Sequence, residues 1–240
     1  MCLCILAHQL HATYPTIIAA NREERYDRPT DPPGWKGGIF AGRDRSAGGT
    51  WQGVNRTGMH VALTNRRGTL GDPERRSRGL LCTDALRYTS ARAACDWLLD
   101  HLLHEQYNPC NVLLSDGVEA FCVHYDGRSA HPKTLAPGLH LLGDTEVDDP
   151  QHLRIRRARQ ALYGPLAPWS SLQQALADLM AEHSDADDGL CLHGTRGGTR
   201  SSALIALGAR TLNDARFHYA DGPPCTTPYA DLSPHLQKPV

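Results

Sequence analysis

The 240-residue chain carries almost no excess charge: 25 Lys and Arg stand against 26 Asp and Glu, a formal balance of −1. It therefore lacks the cationic surplus with which nucleic-acid binders displace phosphate counterions, and nucleic acid is not an expected partner. No apolar run approaches the roughly 18 to 20 residues that span a bilayer, and no cationic segment precedes the first apolar residues. Neither a membrane span nor a leader is expected, and position 2 is read as lying very close to the true N-terminus. Zinc-type Cys-x-x-Cys and His-Glu-x-x-His spacings, a P-loop and a dinucleotide fingerprint are all missing. His8 with His11, and Cys191 with His193, are only local pairs, so no metal site is expected. The eight cysteines are too sparse and too irregularly spaced for a disulfide scaffold, which predicts reduced thiols in a cytoplasmic protein.

What is present is the composition of a folded protein, 40% hydrophobic and 21% charged. One domain over residues 1–221 is expected, followed by a proline-rich tail, 222–240, packed on or near it. Cys2 to His8 and Thr16 to Arg22 read as an antiparallel strand pair. Glu23 to Gly49, broken by prolines 29, 32 and 33, reads as a long pinned loop. Thr50 to Asn55 and Met59 to Asn65 form a hairpin around Arg56-Thr57-Gly58. Ser77 to Arg87 is a weak helix, and Ser90 caps a stronger one to His104, with Ala94, Leu98 and Leu102 on one face. Asn111 to Leu114 and Val118 to Tyr125 continue as a meander. Helices follow from Asp149-Pro150 to Gly164 and from Ser170 to His183, and a last hairpin joins Ser201–Leu207 to Thr211–Tyr219. Turn-linked neighbours favour antiparallel pairing, so the fold class is layered α+β.

Cys2 is the residue of most chemical interest. With Met1 removed, it would hold a thiol nucleophile together with an α-amine of pKa about 8 that acts as its general base. Cys4 shares its face of the strand, has no free amine, and is assigned to packing. Asn65 ends a strand and offers a side-chain amide to an oxyanion, although Asn is also a turn former. Trp51 suits either a pocket wall or the core. Glu24, Arg43 and Asp44 read as a network that fixes the long loop, and Gly48-Gly49 as a special backbone conformation. Arg154, Arg156, Arg157 and Arg159 read as a solvated basic helix face.

Several motifs occur in a telling order: Asn21-Arg22-Glu23-Glu24, Ala41-Gly42-Arg43-Asp44, Gly48-Gly49-Thr50-Trp51-Gln52-Gly53, Leu63-Thr64-Asn65, Ser77-Arg78-Gly79 and Gly198-Thr199-Arg200-Ser201-Ser202. Together they resemble the NRDE family, which includes the Transport and Golgi organisation 2 proteins. The resemblance implies an N-terminal-nucleophile hydrolase fold, a four-layer αββα sandwich of antiparallel sheets, whose relatives include cysteine amidases acting on bile-salt conjugates and penicillin V. It implies Cys2, Arg22, Asn65 and Arg200 as the catalytic group, the arginines lowering the thiol pKa or binding a substrate carboxylate. Asn21, Trp51 and Asp144 are the implied substrate contacts. Gly194-Thr195-Arg196 repeats the tripeptide that ends in Arg200, but only the second copy runs into an apolar strand. The chain departs from the family pattern at Glu23, where Asp is usual, and at Leu141-Leu142-Gly143-Asp144, where a Ser-Asn pair is usual.

Two functions follow from these residues. One is hydrolysis of a linear amide or thioester through a Cys2 acyl-enzyme, with no cofactor required. The other is a carrier on the same fold for haem or acyl-coenzyme A, since relatives are associated with haem trafficking and a single axial histidine leaves no sequence signature.

Overall fold

The computed structural model describes residues 2–67, 71–162, 166–184 and 188–238. Period-two burial decides the architecture. In β1 (Leu3–His8) and β2 (Thr16–Arg25) every residue of the central stretch is buried, but alternate residues enter different cores. Cys4, Leu6, Ile18 and Ala20 face one core, while Leu3, Ile5, Ala7, Ile17 and Ala19 face another. A strand covered on both faces has no polar side, which is why these segments read as unbroken apolar runs.

The remaining elements are β3 (Thr30–Lys36), β4 (Ile39–Asp44), β5 (Gln52–Asn55), β6 (His60–Asn65), α1 (Arg78–Ala85), α2 (Ala91–His104), β7 (Cys110–Ser115), β8 (Ala120–Tyr125), β9 (Ala130–Thr134), β10 (Gly138–Leu142), α3 (Leu153–Ala161), α4 (Trp169–Ala181), β11 (Gly197–Gly208), β12 (Thr211–Ala220), β13 (Ala230–Asp231) and α5 (Ser233–Gln237). One sheet runs β10-β1-β2-β11-β12-β13 and the other β3-β4-β5-β6-β7-β8-β9, with all neighbours antiparallel. Helices α3 and α4 cover the outer face of the first sheet, α1 and α2 that of the second, and the two inner faces meet in a shared core. This is a four-layer αββα sandwich, as the motif resemblance implied.

Three local differences from the sequence reading have physical causes. Residues 23–49 are not a loop: β2 extends to Arg25, and β3 and β4 form a hairpin. Pro32 and Pro33 are accommodated because β3 is the outermost strand of its sheet and its register shifts between Asp31 and Gly34, where no ladder N–H is required. Strands β9 and β10 were not anticipated, since β9 is mostly exposed and has no alternating apolar pattern. The tail beginning at Gly222 supplies β13 to the first sheet, and Ser233 Oγ accepts from the Phe217 N–H at 3.0 Å. Met1, and Gly164 as a helix stop, lie outside the described residues.

Candidate active site

The β1–β2 register pairs Leu3 with Asn21, so one step further out Cys2 stands opposite Arg22. Both follow the parity of Cys4 and Ala20 and face the space between the sheets. They open on a cavity of about 140 Å³ whose wall also includes Trp51, Asn65, Ser77 and Arg78. Asn65 enters as the last residue of β6, and Trp51 is held beside that strand by the Leu63 N–H, which donates to its carbonyl at 2.7 Å.

The far wall is the start of α1. The Ser77 side chain caps this helix by accepting from the Gly79 N–H at 3.3 Å, and the Thr50 N–H donates to the Gly79 carbonyl at 3.0 Å. That approach explains the glycine pair: a Cβ on Gly49 would sit 2.1 Å from the Gly79 carbonyl carbon. The N-terminus of α1 therefore adds its partial positive charge to the cavity.

Charge around the thiol is nearly balanced. Arg22 is buried and donates to Thr30 Oγ1 at 3.2 Å, with Glu24 3.7 Å away. Arg28 makes a two-point contact with Asp44, which also accepts from the Ser46 and Ala47 N–H groups and so fixes the turn after β4. Glu23 has the opposite parity to Arg22 and accepts from Arg154 at 2.8 Å; burial raises its pKa against the opposing pull of that arginine. Burial also pushes the Cys2 thiol up to about 11, reinforced by the Glu23 carboxylate. The Glu23 N–H and Arg22 pull the other way but are outweighed, so Arg22 does not by itself make Cys2 a thiolate at neutral pH.

Three residues expected at the site are not among those lining the cavity. Asn21 neighbours Arg22 in a strand and so points to the other face, where its amide donates to the Met180 and Leu190 carbonyls at 2.9 and 2.8 Å. Arg200 is the extra residue of a β11 bulge, between Thr199 opposite Glu23 and Ser201 opposite Arg22. Its Nε is buried with no hydrogen-bond partner among the described residues. Arg196 does not line the cavity either. The buried Asp144 carboxylate accepts from His152 Nε2 at 2.8 Å and Arg67 Nε at 2.7 Å. Gly143 makes room for that histidine, since a Cβ there would lie 2.7 Å from His152 Nε2, and its carbonyl accepts from Thr64 Oγ1 at 2.6 Å. The Gly143-Asp144 turn thus ties β10 to β6 across the two sheets.

Arg78 is the residue that motif reading left without a role. Its Nη1 donates to the Pro109 carbonyl at 3.0 Å, and no carboxylate lies within ion-pair distance among the described residues. Burial lowers its pKa, opposed by the Cys110, Cys2 and Glu24 charges. Its signal in the sequence was the Ser77 cap, which places Arg78 at the first turn of a helix. The basic face assigned to α3 is also not simply solvated: Arg154, Arg157 and Arg159 pair with Glu23, Glu182 and Asp148. Among the described residues, the metal-ligating side chains that gather lie away from this cavity.

Solved structures share the architecture. The N-acylethanolamine-hydrolyzing acid amidase ortholog of Caenorhabditis elegans superposes with a TM-score of 0.56 at 11% identity, over 85% of this chain and 92% of that one. The C2A mutant of the conjugated bile acid hydrolase from Clostridium perfringens gives 0.51 at 9% identity, over 100% and 95%. Penicillin V acylase from Agrobacterium tumefaciens gives 0.51 at 12%, over 98% and 88%. At such identities the likeness is one of fold, that of the N-terminal-nucleophile hydrolases. The Transport and Golgi organization 2 homolog of Mus musculus is 31% identical over 152 residues, and the Homo sapiens homolog 30% over 154. Each match covers 57% of this chain and 53% of the relative, so the chain spans about half the length of these curated relatives. The family model of Transport and Golgi organisation 2 matches residues 1–196, and the chain belongs to that family.

Proposed function

We propose that this protein is a cysteine N-terminal-nucleophile hydrolase of linear amides or thioesters, with Cys2 as nucleophile. The observation that carries the reading is the convergence of Cys2, Arg22, Asn65 and Arg78 on one cavity at the mouth of the two sheets. In the form where Cys2 is the first residue, its α-amine takes the thiol proton as Sγ attacks the carbonyl carbon. The Asn65 amide then donates to the oxyanion, and Arg22 and Arg78 hold an anionic part of the substrate. Collapse of the adduct breaks the C–N or C–S bond, the ammonium protonates the leaving group, and water then releases the acid from the Cys2 thioester.

Cavity size favours chemistry at a bond over enclosure of a large ligand. About 140 Å³ is well below the roughly 300 Å³ at which drug-sized ligand pockets begin. The rest of a substrate would extend into the adjoining depression of about 480 Å³, which shares Gly42 and Thr50 with the cavity. The test compares wild type and Cys2→Ala, after intact mass has established the state of Met1. Both are assayed for thiol release from acyl-coenzyme A and amine release from N-acyl amides, and titrated with haem and acyl-coenzyme A. Turnover with an acyl adduct on wild type only is the expected result. Binding without turnover in wild type, unchanged in Cys2→Ala, would overturn the hydrolase in favour of the carrier.

A further inference from the structure

The segment entering β11 and the tail after β12 converge at the C-terminal end of β2, the end that also carries Arg22, among residues that do not line the Cys2 cavity. Cys191 Sγ lies 3.7 Å from Cys225 Sγ and 3.6 Å from His193 Nε2, and His193 Nε2 lies 3.2 Å from Cys225 Sγ. A ring nitrogen of His183, just beyond α4, is within 4.8 Å of the His193 and Cys225 ligand atoms; Cys191 stands outside that group, so His183 completes a tetrahedron by turning its exposed ring inward. Zinc–sulfur bonds of about 2.3 Å and zinc–nitrogen bonds of about 2.0 Å at tetrahedral angles require S···S separations of about 3.8 Å and S···N separations of about 3.5 Å. The three distances lie within about 0.3 Å of those separations.

We propose that Cys191, His193, Cys225 and His183 form a tetrahedral Cys2His2 site for a borderline-soft divalent cation of the zinc class. Two thiolates and two imidazoles are the donor set such a cation prefers over harder alkaline-earth ions. The segment that carries Cys191 and His193 is fixed to β11, because the Leu192 N–H donates to Thr199 Oγ1 at 2.9 Å and the Thr199 N–H to the Leu192 carbonyl at 2.8 Å. Cys191 is buried, whereas both histidines are exposed, so the ion can enter from solvent. Binding displaces the two thiol protons and joins segments 34 residues apart, clamping the tail to the start of β11. Position 225 lies beyond residues 1–196, so the complete site is not a property of the family match.

The test uses the full chain, reduced with a phosphine, stripped by chelator and titrated anaerobically with cobalt(II). One equivalent should produce the intense visible absorption of tetrahedral cobalt thiolate, and zinc should bleach it. Cys225→Ser and His193→Gln, at solvent-accessible positions, should abolish that absorption while far-ultraviolet circular dichroism stays unchanged; Cys95→Ser, on α2, should leave it intact. The proposal fails if the reduced wild type gives no such absorption, or if Cys225→Ser gives the same spectrum. It fails equally if the two cysteines form a disulfide, seen as the loss of two hydrogens in intact mass, and the reduced form takes no cobalt.

Discussion

Cys2 and Asp144 are both held by their surroundings, in opposite senses. The Cys2 thiol is raised to about 11, so in the chain that retains Met1 it is neutral at pH 7. Its alkylation by iodoacetamide should accelerate about tenfold per pH unit from pH 7 to 9, read by peptide mass mapping. A rate that bends over between pH 8 and 9 would show an ordinary thiol, and one already level by pH 8 a depressed one. For Asp144, burial alone would raise the pKa, but hydrogen bonds from His152 and Arg67 hold it well below the usual carboxylate range. His152 Nδ1 accepts from the Ile155 N–H, so the ring carries its proton on Nε2 and donates it to Asp144. A depressed carboxylate contributes stability above its unfolded value near 4, and that contribution is lost as the pH falls below it. Asp144→Asn should therefore cost about 3 kcal/mol at pH 7 and flatten the acid limb of a urea-midpoint profile between pH 5 and 2.

At the scale of single elements, caps and close approaches set the outcome. The Ser90 side chain accepts from the Ala93 N–H at 3.2 Å, and Ala94, Leu98 and Leu102 bury the face their spacing indicates. Ser90→Ala should lower stability by about 1 kcal/mol in denaturant melts. Helix α1 depends on a contact that no local rule contains. A Cβ at Gly49 would fall 2.1 Å from backbone, whereas one at Gly79 would meet the Thr50 backbone at 3.3 Å. Gly49→Ala should then displace the helix, costing upwards of about 2 kcal/mol and the cavity wall with it, while Gly79→Ala costs about 1 or less. Equal melting temperatures for the two variants would contradict this packing.

The whole molecule places unusually many thiols in dry surroundings. Cys4, Cys82, Cys110 and Cys122 are fully buried, and burial raises each of their pKa values, that of Cys110 to about 12. Above pH 9 the unfolded chain releases these protons while the folded chain retains them, so stability falls as pH rises. Four such groups give a slope of roughly 5 kcal/mol per pH unit, comparable with the entire stability of a domain. Cooperative unfolding should thus set in between about pH 9 and 11, with thiol ionisation in ultraviolet absorbance tracking the loss of circular dichroism. Ionisation well in advance of unfolding would show that the cores admit water.

The sequence by itself determined the element types of the central strands, α2 and α4, because apolar periodicity and caps act over a few residues. It also determined membership of a motif family, and through that the sandwich. Tertiary structure decided what local rules cannot reach. Strand parity separated Arg22, toward the cavity, from Asn21 beneath α4. A bulge in β11 set Arg200 outside the cavity lining. An outermost strand position made Pro32 and Pro33 compatible with β3, where a proline-broken segment had read as loop. Arg78 reached the Cys2 cavity only because Gly49 admits α1. The grouping of Cys191 and His193 with Cys225 and His183 arose in the same way, from three chain segments whose spacing carries no signature; their proximity comes from the pairing of β2, β11 and β12 in one sheet.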